Sequence, residues 1–229
     1  LQLPTPEEQV NREHVTLLAV LPYLVLVGAR IERRTVPLSL AATVGALAAG
    51  GLAQKPFFVV VPLALGLLEW RRGRSALEVA SLPEHLVIGI SVPLIWLAQL
   101  AAAPGWLEAA RWYWPLYSRY GGGLAIQLGV LASGAASLVI AAILLWRWRA
   151  RGHIDAEGEA LAVGALGFFL CIVLQARSLS YHFVPVVALV ALVGLRWLVS
   201  GRDRTLVPAA LVSLLLVVVM LRSPWDGVR

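Results

Sequence analysis

Seven residues with side chains that could do chemistry stand in three groups at the edges of apolar runs. They are Arg12, Glu13, His14, Lys55, Arg177, Tyr181 and His182. A carboxylate can take a proton from a reacting hydroxyl, whereas guanidinium, ammonium and imidazole groups can bind a phosphate. Ionisable groups near membrane depth are costly, and they are usually paired or functional. Glu13 is therefore the candidate base or metal-holding acid, and the other six are candidate ligands of a phosphate-bearing substrate.

Each group also has an interpretation that needs no function. Asn11 could cap a helix whose first turn contains Glu13, where a carboxylate suits the helix dipole. The amine of Lys55, the only lysine in the chain, could extend along apolar surface to the headgroups. The third group could be an ordinary polar turn. Function is favoured for Lys55, because Gln54 and Pro56 make its short turn specific and Pro56 is suited to begin a helix.

The composition indicates a membrane protein. The chain is 59% hydrophobic and 14% charged, whereas soluble domains carry about 25% charged residues. A spanning helix needs roughly 17–25 residues. Six of the apolar runs approach or reach that length, whereas the runs at 15–29 and 56–68 are short and must borrow flanking residues, tilt or sit in a locally thinned membrane. The sequence predicts an all-α bundle of about eight transmembrane spans, forming one domain over residues 1–229 with an outer segment at 1–14. The runs are 15–29, 36–53, 56–68, 85–103, 124–146, 160–176, 183–198 and 206–221.

Arginines occur in every second gap between these runs. Basic residues near helix ends stay on the cytoplasmic side, so the arginine gaps are predicted to be cytoplasmic and both termini to lie outside. The net charge of +6 is then explained by the orientation of the protein in the membrane. We therefore expect no nucleic-acid partner. The three chemical groups fall on the opposite, outer face, while His85 and His153 fall on the arginine side and receive no role. The arginines in question are Arg30, Arg33, Arg34, Arg71, Arg72, Arg74, Arg147, Arg149, Arg151, Arg196, Arg202 and Arg204.

Two further patterns concern packing and the outer surface. Aromatic residues recur at helical spacing in the gap at 104–123, which predicts an amphipathic segment lying in the outer interface; a connector with interfacial aromatics is the alternative. Small residues along the second and sixth runs predict close helix contacts. They are Gly45, Ala49, Gly50, Ala53, Gly164 and Gly167.

Four short motifs resemble, in the same order, segments of bacterial polytopic glycosyltransferases of the GT-C superfamily. They are NREHV at 11–15 with LPYL at 21–24, AQKPFF at 53–58, the Tyr-Gly-Gly element within 117–123, and SYHFVP at 180–185. The resemblance runs over nearly the whole chain. Each motif is short, so the specificity comes from their order and spacing.

The resemblance implies transfer of a sugar from a polyprenyl-phosphate donor at the periplasmic face of the bacterial inner membrane. The acceptor would be a cell-envelope glycan, a lipid or a protein, and relatives include protein mannosyltransferases and lipid A aminoarabinose transferases. By the same resemblance, Glu13 is the acidic residue of the second outer loop and Lys55 approaches the donor phosphate. Arg177 and His182 would line the same pocket. The metal requirement is open, with a divalent cation as one option.

One departure from the family keeps other functions open. The family's principal catalytic aspartate lies in its first outer loop, and no residue here corresponds to it. Because the chain starts at Leu1 rather than methionine, we expect it to be the C-terminal part of a longer enzyme. One alternative is a transporter or flippase that uses the same outer cations for an anionic lipid or solute. Another is a non-catalytic membrane subunit of a glycan-assembly complex.

Overall fold

The computed structural model describes residues 6–105, 156–175 and 180–199, together with a few single positions between 108 and 150. The predicted outer segment at 104–123 and the predicted spans at 124–146 and 206–221 lie largely or wholly outside the described residues. The regular structure within the described ranges is entirely helical. The prediction of an all-α fold is therefore confirmed for them.

Seven α-helices and two 3-10 helices make up the described ranges. Three segments are long and apolar enough to cross a membrane, namely Glu13–Ile31, Pro83–Ala102 and Ala156–Leu174. Two shorter apolar helices accompany them, and the count of about eight spans stays a prediction. The α-helices are α1 (Pro6–Ile31), α2 (Leu38–Leu52), α3 (Val60–Arg71), α4 (Ala76–Ala80), α5 (Pro83–Ala102), α6 (Ala156–Leu174) and α7 (Val184–Val199), and the 3-10 helices are Pro56–Val59 and Ser180–Phe183.

Helix α1 begins earlier than the apolar pattern indicates. It starts at Pro6, so the idea that Asn11 caps it is wrong, and most of the predicted outer segment at 1–14 is helical. Proline is favoured in the first turn of a helix, and Glu7 and Glu8 there suit the positive end of the dipole. Glu13 consequently lies inside the helix rather than in its first turn.

The bundle is organised around α1. Helix α2 packs between α1 and α5, while α6 packs against α1, α3 and α7. One buried cluster joins these helices, and Tyr23, Phe168 and Phe183 are among its largest buried side chains. In lipid, burial of apolar area no longer drives helices together, so close packing and polar contacts between them carry more of the stability.

The helices share two ends, which their contacts define. Glu13 lies toward the start of α1 and Arg30 at its end. Helix α7 has the same direction, because it follows His182 and Arg196 lies near its end. Helix α6 runs the opposite way, because Glu157 near its start pairs with Arg196. We call the end that contains Glu13, Lys55 and His182 the lysine end, and the end that contains Arg30, Arg71, Arg72, Glu84 and Arg196 the arginine end.

The short helix α4 links α3 to α5 at the arginine end and begins with a capping box. The Glu78 backbone N–H donates to Ser75 Oγ at 3.1 Å, and the Ser75 N–H donates to Glu78 Oε2 at 2.6 Å. The backbone bond from Ser75 is the main reason that the pKa of the exposed Glu78 carboxyl lies below its ordinary value of 4.5. The stabilising bond that the Glu78 carboxylate accepts therefore persists down to this lowered pKa and weakens as the pH falls through it, whereas the bond to Ser75 Oγ does not titrate.

Small residues do bring helices close together, with one exception. A Cβ on Gly45 would lie 2.8 Å from the Glu84 carbonyl oxygen, and one on Gly164 would lie 2.7 Å from Leu24 Cδ2. Both distances are shorter than real Cβ contacts. Gly45 meets backbone atoms and therefore requires glycine, whereas at Gly164 the Leu24 side chain would have to shift. Gly50 is exposed and has nothing within 4 Å of its Cβ position. The packing prediction was therefore wrong for Gly50.

Gly45→Ala and Gly50→Ala form a matched pair within α2 and are expected to change stability in opposite directions. Gly45→Ala should lower the free energy of unfolding by about 1–3 kcal/mol, because the added methyl group overpacks the contact with Glu84. Gly50→Ala should raise it by about 0.5–1 kcal/mol, because alanine favours a helix without meeting a neighbour. Unfolding of both purified variants in mixed detergent micelles, followed by circular dichroism, measures the difference. Equal shifts for the two would contradict the observed α2–α5 approach.

Candidate functional site

Three of the sequence-predicted residues meet at the lysine end of the bundle. Glu13 extends from α1, Lys55 precedes the first 3-10 helix, and His182 belongs to the second. The Lys55 Nζ donates to Glu13 Oε1, and His182 Nε2 lies 4.0 Å from the same oxygen. One carboxylate oxygen is thus approached by an ammonium group and an imidazole from separate parts of the chain.

The three side chains differ in their access to the outside. The side chain of Glu13 is 2% exposed and that of His182 is 5% exposed, whereas Lys55 is 24% exposed. A buried carboxylate needs a close positive partner, because its desolvation is costly. Lys55 supplies this charge and also reaches the surface. A ligand that arrives from outside would meet the Lys55 amine before it meets Glu13.

The turn before α3 holds Lys55 in place. Lys55 is extended (φ −144°, ψ 135°) and precedes Pro56, which begins the 3-10 helix as the sequence predicts. The Phe58 backbone N–H donates to the Lys55 carbonyl at 3.0 Å, and the Lys55 amine lies 5.7 Å from the centre of the Phe58 ring. An ammonium group at this distance from an aromatic face is attracted to it.

Two hydrogen bonds fix the end of α2 beside this turn. Thr16 Oγ1, which follows Glu13 by one turn of α1, donates to the Gly51 carbonyl at 3.3 Å. Trp96 Nε1 of α5 donates to the Ala53 carbonyl at 3.0 Å. Both acceptors lie at the C-terminal end of α2, where carbonyls lack intrahelical partners, and the Gly51 carbonyl also accepts from the Gln54 backbone N–H at 3.2 Å. They also hold α1, α2 and α5 in register where Glu13 and Lys55 must meet.

The inner wall of the cluster is aromatic and apolar. Phe58 and Phe168 contact each other edge to face with ring centres 5.6 Å apart. Cys171 Sγ donates to the Phe57 carbonyl at 3.0 Å, which joins α6 to the 3-10 helix after Lys55. These contacts place aromatic and apolar side chains beside the turn that carries Lys55.

The other predicted site residues are placed only in part. His14 is half-buried in α1 next to Glu13. Arg12 lies in α1 and Tyr181 in the second 3-10 helix, but their side chains are outside the described residues, as is Arg177 altogether. Within the described part of the chain, no three His, Cys, Asp or Glu side chains come close enough together to hold a metal ion.

A second buried polar cluster, which the sequence did not predict, lies toward the arginine end. Arg30 of α1 donates twice to Glu84 of α5, from Nε to Oε1 at 2.8 Å and from Nη2 to Oε2 at 3.1 Å. His85, which received no role, lies between the Tyr23 hydroxyl (3.2 Å from Nδ1) and Glu69 (2.7 Å from Nε2 to Oε2). The side chains of Glu69 and Glu84 are fully buried. We call these five residues the arginine-end cluster.

The arginine-end cluster joins α1, α3 and α5. Arg74 adds to it from the turn after α3, because its Nε lies 3.8 Å from Glu69 Oε1 and its Nη2 donates to the Arg30 carbonyl at 3.0 Å. Glu69 Oε1 has no hydrogen-bond partner among the described residues. A signal in the sequence was the position of Glu69 and Glu84 at the two edges of the gap that contains Arg71, Arg72 and Arg74.

The two clusters are separate sites. Tyr23 follows Glu13 by ten residues on the same helix, which corresponds to about 15 Å along its axis. The arginine-end cluster is internally paired and buried, as expected of groups that hold helices together in lipid. The lysine-end cluster combines a carboxylate, which can accept a proton, with an ammonium and an imidazole, which can neutralise an anion.

Comparisons of the chain with protein-family models, with curated proteins and with solved structures found no match.

Proposed function

We propose that the protein is a membrane glycosyltransferase of the GT-C type, which moves a sugar from a polyprenyl-phosphate donor to a cell-envelope glycan, lipid or protein acceptor. The observation that carries the proposal is the meeting of Glu13, Lys55 and His182 at one end of the bundle. Lys55 and His182 follow Glu13 by 42 and 169 residues along the chain. Each belongs to one of the motifs that resemble the family.

The proposed chemistry is substitution at the anomeric carbon of the donor sugar. The acceptor hydroxyl oxygen forms the new bond to that carbon while the bond from the carbon to the phosphate oxygen breaks. The proton of the acceptor hydroxyl passes to the Glu13 carboxylate. The bonding electrons leave with the lipid phosphate, whose charge Lys55 and His182 stabilise. Lys55 is suited to the phosphate because it is the most exposed of the three.

The alternation of arginines supports an assignment of this reaction to one side of the membrane. Basic residues hold the arginine end in the cytoplasm, so the lysine end faces the periplasm of a bacterial inner membrane in this proposal. Both ends of the given sequence lie on the periplasmic side if the chain has eight spans. The lipid-linked donor then reaches Lys55 from the outer leaflet.

The transporter alternative receives less support. Helices that carry a substrate site at membrane depth are typically broken there. Helices α1 and α5 contain Pro22 and Pro93, and each is one helix on both sides of its proline. The described part of the chain therefore favours a fixed site at one end over a path through the bundle.

Glu13→Gln tests the proposed base. The amide keeps the shape of the side chain and an acceptor for Lys55, but it cannot take a proton at neutral pH. We expect transfer of a radiolabelled sugar to membrane acceptors to fall by about 10²–10⁴-fold, the usual contribution of a general base. The assay uses membranes that contain the protein and a panel of polyprenyl-phosphate hexoses and pentoses.

Glu32→Gln is the matched control, because it makes the same change at the other end of α1 in a pair with the exposed Arg34. It should leave transfer unchanged. If the parent transfers no sugar from any donor of the panel, or if Glu13→Gln retains full transfer, the proposed function is wrong.

A further inference from the structure

We infer that a cavity at the arginine end binds the headgroup of an anionic phospholipid of the surrounding membrane. The cavity has a volume of about 420 Å³ and lies between α3 and α6, open to one side. Its lining combines two guanidinium groups with an indole and apolar side chains. The lining residues are Leu68, Arg71, Arg72, Ala142, Trp146, Glu159 and Val163. The inference is independent of the proposed reaction at the lysine end.

The charges of the lining favour an anion. Arg72 pairs with Glu159 across the cavity, which neutralises one guanidinium group. Arg71 is exposed and makes no ion pair with any residue that the structure describes. Among the described lining residues, one positive charge is therefore uncompensated. A guanidinium group offers several N–H donors in one plane, which suits a phosphodiester. Arg72 lines the same cavity.

The apolar surface beyond the cavity favours a lipid over a soluble phosphate. Leu67 and Leu63 precede Arg71 by four and eight residues, so they lie on the same face of α3. On α6, Leu166 and Leu170 follow Glu159 by seven and eleven residues and also share its face. All four leucines are exposed, between 39% and 66%. They form two apolar tracks that lead from the cavity toward the other end of the bundle, where acyl chains would lie.

Trp146 completes this arrangement at the rim. Its side chain is 67% exposed although it lines the cavity. Indole rings prefer the headgroup level of a bilayer, where the ring meets lipid and the N–H finds an acceptor. Positive charges near an anionic membrane surface each contribute about 1 kcal/mol to attraction. The cavity thus places its charges at headgroup level and its leucines at acyl level.

Retention of lipid by the purified full chain tests the inference. The protein is exchanged into nanodiscs of equal parts phosphatidylglycerol and phosphatidylcholine, released, and examined by native mass spectrometry for bound lipid. We expect phosphatidylglycerol to be retained over phosphatidylcholine, and Arg71→Gln to weaken this retention about fivefold, since it removes about 1 kcal/mol. Arg71→Gln leaves the Arg72–Glu159 pair intact, so the fold is preserved.

Arg33→Gln serves as the matched control, because Arg33 is an exposed arginine at the same end that does not line the cavity. It should retain phosphatidylglycerol like the parent. Equal losses for the two variants, or equal retention of both lipids by the parent, would overturn the inference. Displacement of the lipid by soluble glycerol phosphate would also overturn it, because the cavity would then bind a free phosphate.

Discussion

Replacing Glu84 with leucine is expected to lower the free energy of unfolding by about 3–5 kcal/mol, the cost of leaving one member of a buried ion pair alone. The Glu84 side chain is fully buried and accepts two hydrogen bonds from Arg30, whose own side chain is 12% exposed. Without the carboxylate, the Arg30 guanidinium would have to leave the bundle or stay uncompensated. Titration of the protein in mixed micelles with a denaturing detergent measures the change.

The double variant Arg30→Met/Glu84→Leu removes both charges of the buried pair and so shows whether the loss of stability comes from the charge left alone. Apolar residues of similar volume often replace a buried ion pair with little loss. We therefore expect the double variant to recover most of the stability that Glu84→Leu loses. The Glu32–Arg34 pair is the exposed comparison, and Glu32→Gln should change the free energy of unfolding by less than about 1 kcal/mol. If Glu84→Leu costs no more than Glu32→Gln, the arginine-end cluster does not hold α1 to α5.

Lys55→Met is expected to affect both folding and ligand binding. It leaves Glu13, which is 2% exposed, without its ammonium partner, and the free energy of unfolding should fall by about 3 kcal/mol. It also removes the cation that the proposed reaction assigns to the donor phosphate. Binding of undecaprenyl phosphate to the protein in nanodiscs should fall at least about tenfold, because hydrogen bonds to charged groups contribute about 1.5–3 kcal/mol.

The double variant Glu13→Gln/Lys55→Met distinguishes these two effects. With both charges removed, the buried position no longer holds an unpaired carboxylate, so most of the stability should return. Binding of undecaprenyl phosphate should stay weak, because the ammonium group is still absent. Recovery of binding together with stability would mean that Lys55 only supports the fold. Full binding by Lys55→Met itself would remove Lys55 from the proposed phosphate site.

The sequence predicted several local features correctly because they depend on neighbouring residues. The helix start at Pro56 follows from the fixed φ of proline, and the six apolar runs within the described ranges correspond to helices. The alternation of arginines predicted a common end for Glu13, Lys55 and His182, whose side chains are close in the structure. Their pairing and burial could not be predicted, because these depend on how α1, α3 and α7 pack.

The arginine-end cluster escaped prediction for a similar reason. In the sequence, the gap that contains Arg71, Arg72 and Arg74 is predicted to be a cytoplasmic loop. Glu69, Glu84 and His85 stand at its edges and are therefore expected to be exposed. Their burial depends on the start of α5, which lies beside the middle of α2 because Gly45 lets the Glu84 backbone come close. No periodicity of apolar residues encodes such an approach. The start of α1 was misplaced because polar residues can continue a helix beyond its apolar stripe.

Helix α2 is short compared with the hydrocarbon layer of a bilayer. The fifteen residues of α2 extend about 22 Å along the axis, whereas the hydrocarbon layer of a typical bilayer is about 30 Å thick. A spanning helix shorter than this layer is matched by local thinning of the bilayer or by flanking residues that reach the interface. Membranes differ in thickness, and mismatch of this kind sorts proteins among them. In the proposed membrane glycosyltransferase, local thinning beside α2 would bring the headgroups closer to the Lys55 amine.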